Sequence, residues 1–228
     1  MTAPSRHGRA TKPHRESRMR GSIVRLSCLL LALHLAAAPA LAQSGVATNP
    51  GLAPQGRYAV VRDHTQVFFS IMHLGLSPYY GRFAGASGTL TFNPLDPTKS
   101  SLDIAIDPKT ASTLSDQISR ELCRPDVFSC AKFSKFAFKS TAIMRTGDTT
   151  GDITGDLTLA GVTKPVTLHA TFYGGMQGPL GQNNYQLGFS AETTLKRSDF
   201  GLNKMIWSSA VGDEVKLMIA AEFEQDKK

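Results

Sequence analysis

Cysteine, tryptophan and histidine are all scarce in this 228-residue chain, which holds 3, 1 and 6 of them. Beyond residue 42 only Cys123, Cys130, Trp207 and the histidines His64, His73 and His169 remain. None of these histidines stands at metal-ligand spacing from another His, Cys or carboxylate, so nothing here spells a metal site. A Cys-x-x-Cys pair is missing, and dithiol redox chemistry goes with it. No glycine-rich phosphate loop follows a strand. "GASG" at 85–88 lacks the spacing of the G-x-S-x-G elbow, and "DFG" at 199–201 stands without any other kinase motif. The paired groups that an enzyme of this size displays are not visible.

Net positive charge is also lacking where it first looks plentiful. The chain carries a formal +7, but residues 1–42 contain seven of its 25 Lys and Arg and one of its 18 acids, leaving 18 bases against 17 acids from Gln43 onward. A nearly neutral body gives no electrostatic footprint for nucleic acid.

Those first 42 residues read as a secretory signal peptide. Arginines run through Arg25, "LSCLLLALHLAAAPALA" follows, and Ala40 and Ala42 supply small residues for cleavage after Ala42. Met19 is an alternative start, since residues 1–18 add nothing the signal needs. The apolar run is too short to serve as a lasting membrane anchor. Residues 43–56 read as a flexible lead-in, and 57–228 as one domain large enough for a real core. Export implies the periplasm. In that oxidising compartment Cys123 and Cys130, in "ELCRPDVFSCAKF", form a disulfide if the segment turns back on itself; two buried thiols are the alternative.

What the body does have is alternation. In "KPVTLHATFY" Val166, Leu168, Ala170 and Phe172 take one face and Thr167, His169, Thr171 and Tyr173 the other, the period of a half-buried strand. Val215, Leu217, Ile219, Ala221 and Phe223 repeat it, as do Leu187, Phe189 and Ala191. Further strands fall near Tyr58–Val61, Val67–Leu74, Gly81–Phe92 and Lys135–Met144, for eight or nine in all. Clusters such as "NPLDPTKS" and "RTGDTTGD" supply the turns. Only "LSDQISRELC" reads as a helix, with Leu114, Ile118 and Leu122 on one face. About eight antiparallel strands make a sandwich or a barrel, and a barrel of that size holds packed side chains or one small ligand.

Two places carry the remaining chemistry. His73 shares parity with Val67, Phe69 and Ile71, which puts it on the apolar-facing side at a strand end, where a structural role and a pocket-rim contact both remain open. Arg197 and Asp199 share a face if they lie on a strand, and could pair there or meet a ligand.

Several stretches together resemble the YceI family, secreted polyisoprenoid-binding proteins of bacteria. "FFSIMHLGLSPYYGRFAGASGTLTFNP", "GDLTLAGVTKPVTL", "KRSDFGL" and "VGDEVKLMI" are similar to that family's successive blocks, in its order, from about Tyr58 to Glu222. His64 and His73 match the family's two early histidines. The resemblance implies an all-β fold, an elongated eight-stranded antiparallel lipocalin-like barrel with a short helical insertion, commonly dimeric. It implies a carrier or buffer of a polyisoprenoid, quinone or fatty-acid-like lipid, with no other cofactor, no catalysis, transient contact with a membrane surface and a homodimer. The expected ligand contacts are Val67, Phe69, Ile71, His73, Phe83, Leu90, Phe92, Phe136, Phe138, Leu157, Leu159, Phe172, Phe189, Phe200 and Ile219, with Arg197 and Asp199 at a polar rim. An enzyme acting on a lipid or sugar with His73 as general base is the competing expectation, and a barrel plugged by its own side chains is a third.

Overall fold

The computed structural model describes residues 45–178, 184–204 and 208–226. The leader, its cleavage point and the alternative start at Met19 lie outside the described residues. The strands are β1 (Gly56–Val60), β2 (Gln66–His73), β3 (Ser77–Phe83), β4 (Ser87–Phe92), β5 (Ser101–Ile106), β6 (Ser112–Thr113), β7 (Phe136–Arg145), β8 (Thr150–Leu159), β9 (Val162–Gln177), β10 (Tyr185–Lys196) and β11 (Val211–Gln225), with one helix, α1 (Asp116–Glu121).

Hydrogen bonding closes them into an eight-stranded antiparallel barrel in the order β1-β4-β5-β7-β8-β9-β10-β11 and back to β1. The extra strands extend this wall. One edge of β11 pairs with β1 at residues 223–225 and with β2 at residues 215–220, so β1 and β2 act as one long strand with a break. At the break Val61 N–H donates to the Glu222 carbonyl at 2.9 Å, while the Thr65 hydroxyl accepts from Glu222 N–H at 3.2 Å. His64 Nδ1 lies 2.7 Å from Glu222 Oε2. The backbone groups freed by the interruption are thus satisfied, as buried polar groups must be. The stretch 81–92, read above as a single strand, breaks likewise at Ala84–Ala86, and β3 and β6 continue the wall beyond β4 and β5.

β11 shows why the pattern dictates this shape. Val215, Leu217, Ile219, Ala221 and Phe223 alternate with Lys216, Met218, Ala220, Glu222 and Glu224, and in a closed ring every second residue has only the interior to face. Fifteen residues at about 3.3 Å each, tilted as barrel strands are, give a wall about 35–40 Å tall. Inside are two apolar clusters, one around Phe69, Phe83, Phe136 and Phe200, the other around Leu90, Phe138, Phe172 and Phe223.

α1 is shorter than its sequence pattern suggests. Ser115 caps it, its hydroxyl accepting from Ile118 N–H at 3.3 Å, so Leu114 falls before the helix and is fully exposed while Leu122 is buried. Cys123 and Cys130 are bonded, Sγ–Sγ 2.01 Å, closing the loop that follows. Within the lead-in, Ala47 exchanges two backbone hydrogen bonds with Gly175 and Ala53 is buried.

Tyr58, wholly buried, sits where β1 meets β11, its hydroxyl donating to the Pro54 carbonyl at 2.6 Å. Burial, assisted by the charge of Tyr185, pushes its phenol up to about 12. The unfolded phenol ionises near 10 while the folded one stays neutral to about 12, so its contribution is full below pH 10 and is lost from 10 to 12. Tyr58→Phe should cost about 1 kcal/mol near neutrality through the lost hydrogen bond. Denaturant unfolding between pH 8 and 12 should show this gap shrinking and then reversing; a gap independent of pH would contradict the assignment.

Candidate functional site

The inward faces leave space along the axis. One chamber, of about 180 Å³, is walled by β2, β3, β7, β8 and the ends of β10 and β11; a second, of about 200 Å³, lies against β1, β4, β5, β9 and the far half of β11. Either volume exceeds by more than tenfold the roughly 10–15 Å³ that a single water needs on the same kind of measure. Val67, Ile104, Ile106, Phe138, Leu157 and Leu217 line both, so the chambers meet at a waist made of these six side chains.

The lining is almost entirely hydrocarbon. The second chamber's polar contributions are limited to Thr65, Ser100 and Ser190. The first is covered by Leu122, Val127 and Phe128, the last two inside the loop closed by the disulfide. Phe128 packs on Phe83 and Phe136 with ring centroids 5.6 and 5.3 Å apart. The width of the first chamber depends on Gly81. It faces Phe69 across the β2–β3 ladder, and a Cβ there would come 2.2 Å from the Phe69 ring, so only glycine lets that ring lie flat against the wall.

Arg197 is the charged residue of this interior, and among the described residues it is the one ionisable group lining either chamber. It begins a 3-10 turn, Arg197–Phe200, rather than continuing β10 as the sequence suggested. Its guanidinium donates to the carbonyls of Gly212 (2.8 Å), Leu202 (2.8 Å), Ser208 (2.7 Å) and Val211 (3.1 Å), tying the β10–β11 connection together. No carboxylate pairs with it among the described residues. The expected Arg197–Asp199 pair is therefore corrected: on a 3-10 turn two residues apart do not share a face, and Asp199 points to solvent, away from the chambers. Asp213 takes the carboxylate's place in the connection. The Ser198 hydroxyl, with Ser198 N–H and the Arg197 charge, holds its carboxyl below the usual range.

Two more expected contacts need correction. His73 lies outside both chambers and is exposed: past Ile71 the β2–β11 register shifts between Val211 and Val215, so His73 still pairs with Val211 but lies beyond the chamber lining, where parity no longer points into a cavity. Among the described residues no carboxylate hydrogen-bonds or ion-pairs with it, so the general-base arrangement is not assembled there. Phe172 is buried yet sits behind the lining, stacked on Phe92 at 6.4 Å between centroids. The structure brings together around the chambers Val67, Phe69, Ile71, Phe83, Leu90, Phe92, Phe136, Phe138, Leu157, Leu159, Phe189, Phe200 and Ile219. Sequence reasoning missed Leu195, Leu202, Val215 and Leu217, although Val215 and Leu217 have the parity of Ile219. It also missed Val127 and Phe128, whose loop has no periodicity to read. Among the described residues no three His, Cys, Asp or Glu side chains gather as metal ligands.

A closed antiparallel barrel with an apolar axial cavity defines the class: a lipocalin-like barrel. The chain belongs to the YceI-like domain family, whose model matches residues 58–223. It is 37% identical over 167 residues, 72% of this chain and 85% of the relative, to a UPF0312 protein of Pseudomonas savastanoi pv. phaseolicola. Two solved structures share the fold. BcnA of Burkholderia cenocepacia matches with TM-score 0.63 at 23% identity, over 72% of this chain and 98% of that one. A polyisoprenoid binding domain from Saccharophagus degradans matches with TM-score 0.58 at 13% identity, over 76% and 100%.

Arg197→Met keeps the stem but removes every donor, leaving four carbonyls of the connection unsatisfied. It should destabilise the protein by several kcal/mol, about 3 or more, read by chemical denaturation. A loss under about 1 kcal/mol would mean that the guanidinium is not holding the turn.

Proposed function

We propose that this protein binds a single long-chain isoprenoid or similar amphipathic lipid and carries or buffers it in the periplasm, with no chemistry of its own. The observation that carries the reading is the interior itself: two adjoining apolar chambers that share six lining side chains, with a single cation at one end. The fold shared with a polyisoprenoid binding domain supports it, and the leader supports export.

The energetics favour a carrier over an enzyme. Each buried methylene is worth about 0.8 kcal/mol, so a five-carbon unit contributes roughly 3–4 kcal/mol. About half a dozen units reach the practical affinity ceiling near 18–21 kcal/mol. Such a molecule does not wait in water. Its alternative home is a bilayer, where the tail is equally dry, and exchange between membrane and barrel is then nearly balanced. The tail occupies both chambers and the head group lies toward Arg197, whose Nη1 makes one hydrogen bond among the described residues and keeps an N–H to give.

Organic extraction of protein purified from the compartment of its export, followed by mass spectrometry, should yield about one amphiphile per chain. Leu157→Arg puts a charge at the waist and should leave the barrel folded by circular dichroism but empty, or loaded with shorter chains only. No lipid from the wild type, or undiminished loading of the variant, would sink the reading.

A further inference from the structure

The β2–β3 hairpin has an apolar tip that neither chamber uses. His73 accepts from Leu76 N–H at 2.9 Å, and the residues between, Leu74 and Gly75, both have positive φ, 52° and 69°. Glycine adopts such angles freely and Asn or Asp tolerate them; a leucine there is strained. At the β8–β9 turn, where two positive φ values recur, the non-glycine residue is the smaller Ala160. Leu74 is nevertheless 60% exposed and Leu76 82% exposed, so packing does not compensate. A residue that breaks both the turn rule and the burial rule marks a functional position.

The hairpin's outward face is layered. Above the leucines come Met72 opposite Pro78, then Ser70 opposite Tyr80 with Lys216 alongside on β11, then Phe68 opposite Arg82. Tyr80, Arg82 and Lys216 are exposed. Between Asp63 and Asp96 the chain has no carboxylate. On the adjoining segment of β11, Asp213 is bonded to Ser198 and Glu214 lies opposite Lys196 in the ladder. Apolar tip, then tyrosine, then cations is the order in which a bilayer presents hydrocarbon, interface and anionic head groups.

We propose that this tip is a membrane-docking element: Leu74 and Leu76 enter the apolar boundary of an anionic bilayer, Tyr80 sits at the interface, and Lys216 and Arg82 face the head groups. Docking there sets the chamber lined by Ile71 and Val211 next to the membrane, because Ile71 leads directly into the hairpin and Val211 pairs with His73. The proposal rests on the lipid-carrying reading for its purpose, though not for its test.

The test is co-sedimentation of the mature protein with phosphatidylcholine vesicles containing phosphatidylglycerol. Leu74→Asn with Leu76→Ser should weaken partitioning at least about tenfold while the load of co-purified lipid, read by mass spectrometry, stays unchanged. Leu74→Asn alone keeps the test independent of misfolding. Asn suits the positive φ, so its melting temperature should hold or rise while vesicle binding falls. Wild-type protein that ignores the vesicles, variants that bind as wild type, or a change of oligomeric state in place of lost binding would each overturn docking. Loss of vesicle binding in a barrel that proves to carry no lipid would support docking and remove the carrying reading instead.

Discussion

The three register pairs between β1 and β11, Tyr58 with Gln225, Ala59 with Glu224 and Val60 with Phe223, hold the two ends of the sheet together. Without them the sheet has two open edges and its apolar face must find another surface to cover it. With them, each inward side chain meets the side chains across the axis, and what does not fill the space leaves a cavity. Tyr58 is wholly buried at this seam, so the closing contact is also one of the best packed.

Closure governs the chemistry as well. A ring whose backbone groups are paired with one another offers few polar groups to its interior, and the lining here is apolar apart from three hydroxyls and one guanidinium. The guanidinium is spent chiefly on the β10–β11 connection. It therefore contributes to both the architecture and the polarity of one end. The disulfide works at the same end, holding Val127 and Phe128 as a cover; closing so short a loop adds about 2–3 kcal/mol on the chain-entropy estimate.

Much of this was legible beforehand, and the failures have physical causes. Period-two alternation located the strands and most of the lining, since parity translates directly into inside and outside wherever a strand stays in the wall. It failed for His73, where the strand runs past the end of the chamber, and for Phe172, where an inward residue is shielded by Phe92. Arg197 and Asp199 were misread because a strand was assumed to continue where a 3-10 turn begins. The break between β3 and β4 was invisible because the apolar pattern passes through Ala84 and Ala86. Val127 and Phe128 are placed by a covalent loop, which has no period.

The central claim is that one continuous apolar space runs through the waist at Leu157. Co-crystallisation with a long-chain alcohol brominated at its far end tests this most directly, through the anomalous signal of the bromine. The account predicts a peak inside the second chamber with the hydroxyl end in the first, near Arg197. Bromine found only on the outer surface, or an interior filled by side chains with no connected density, would contradict it.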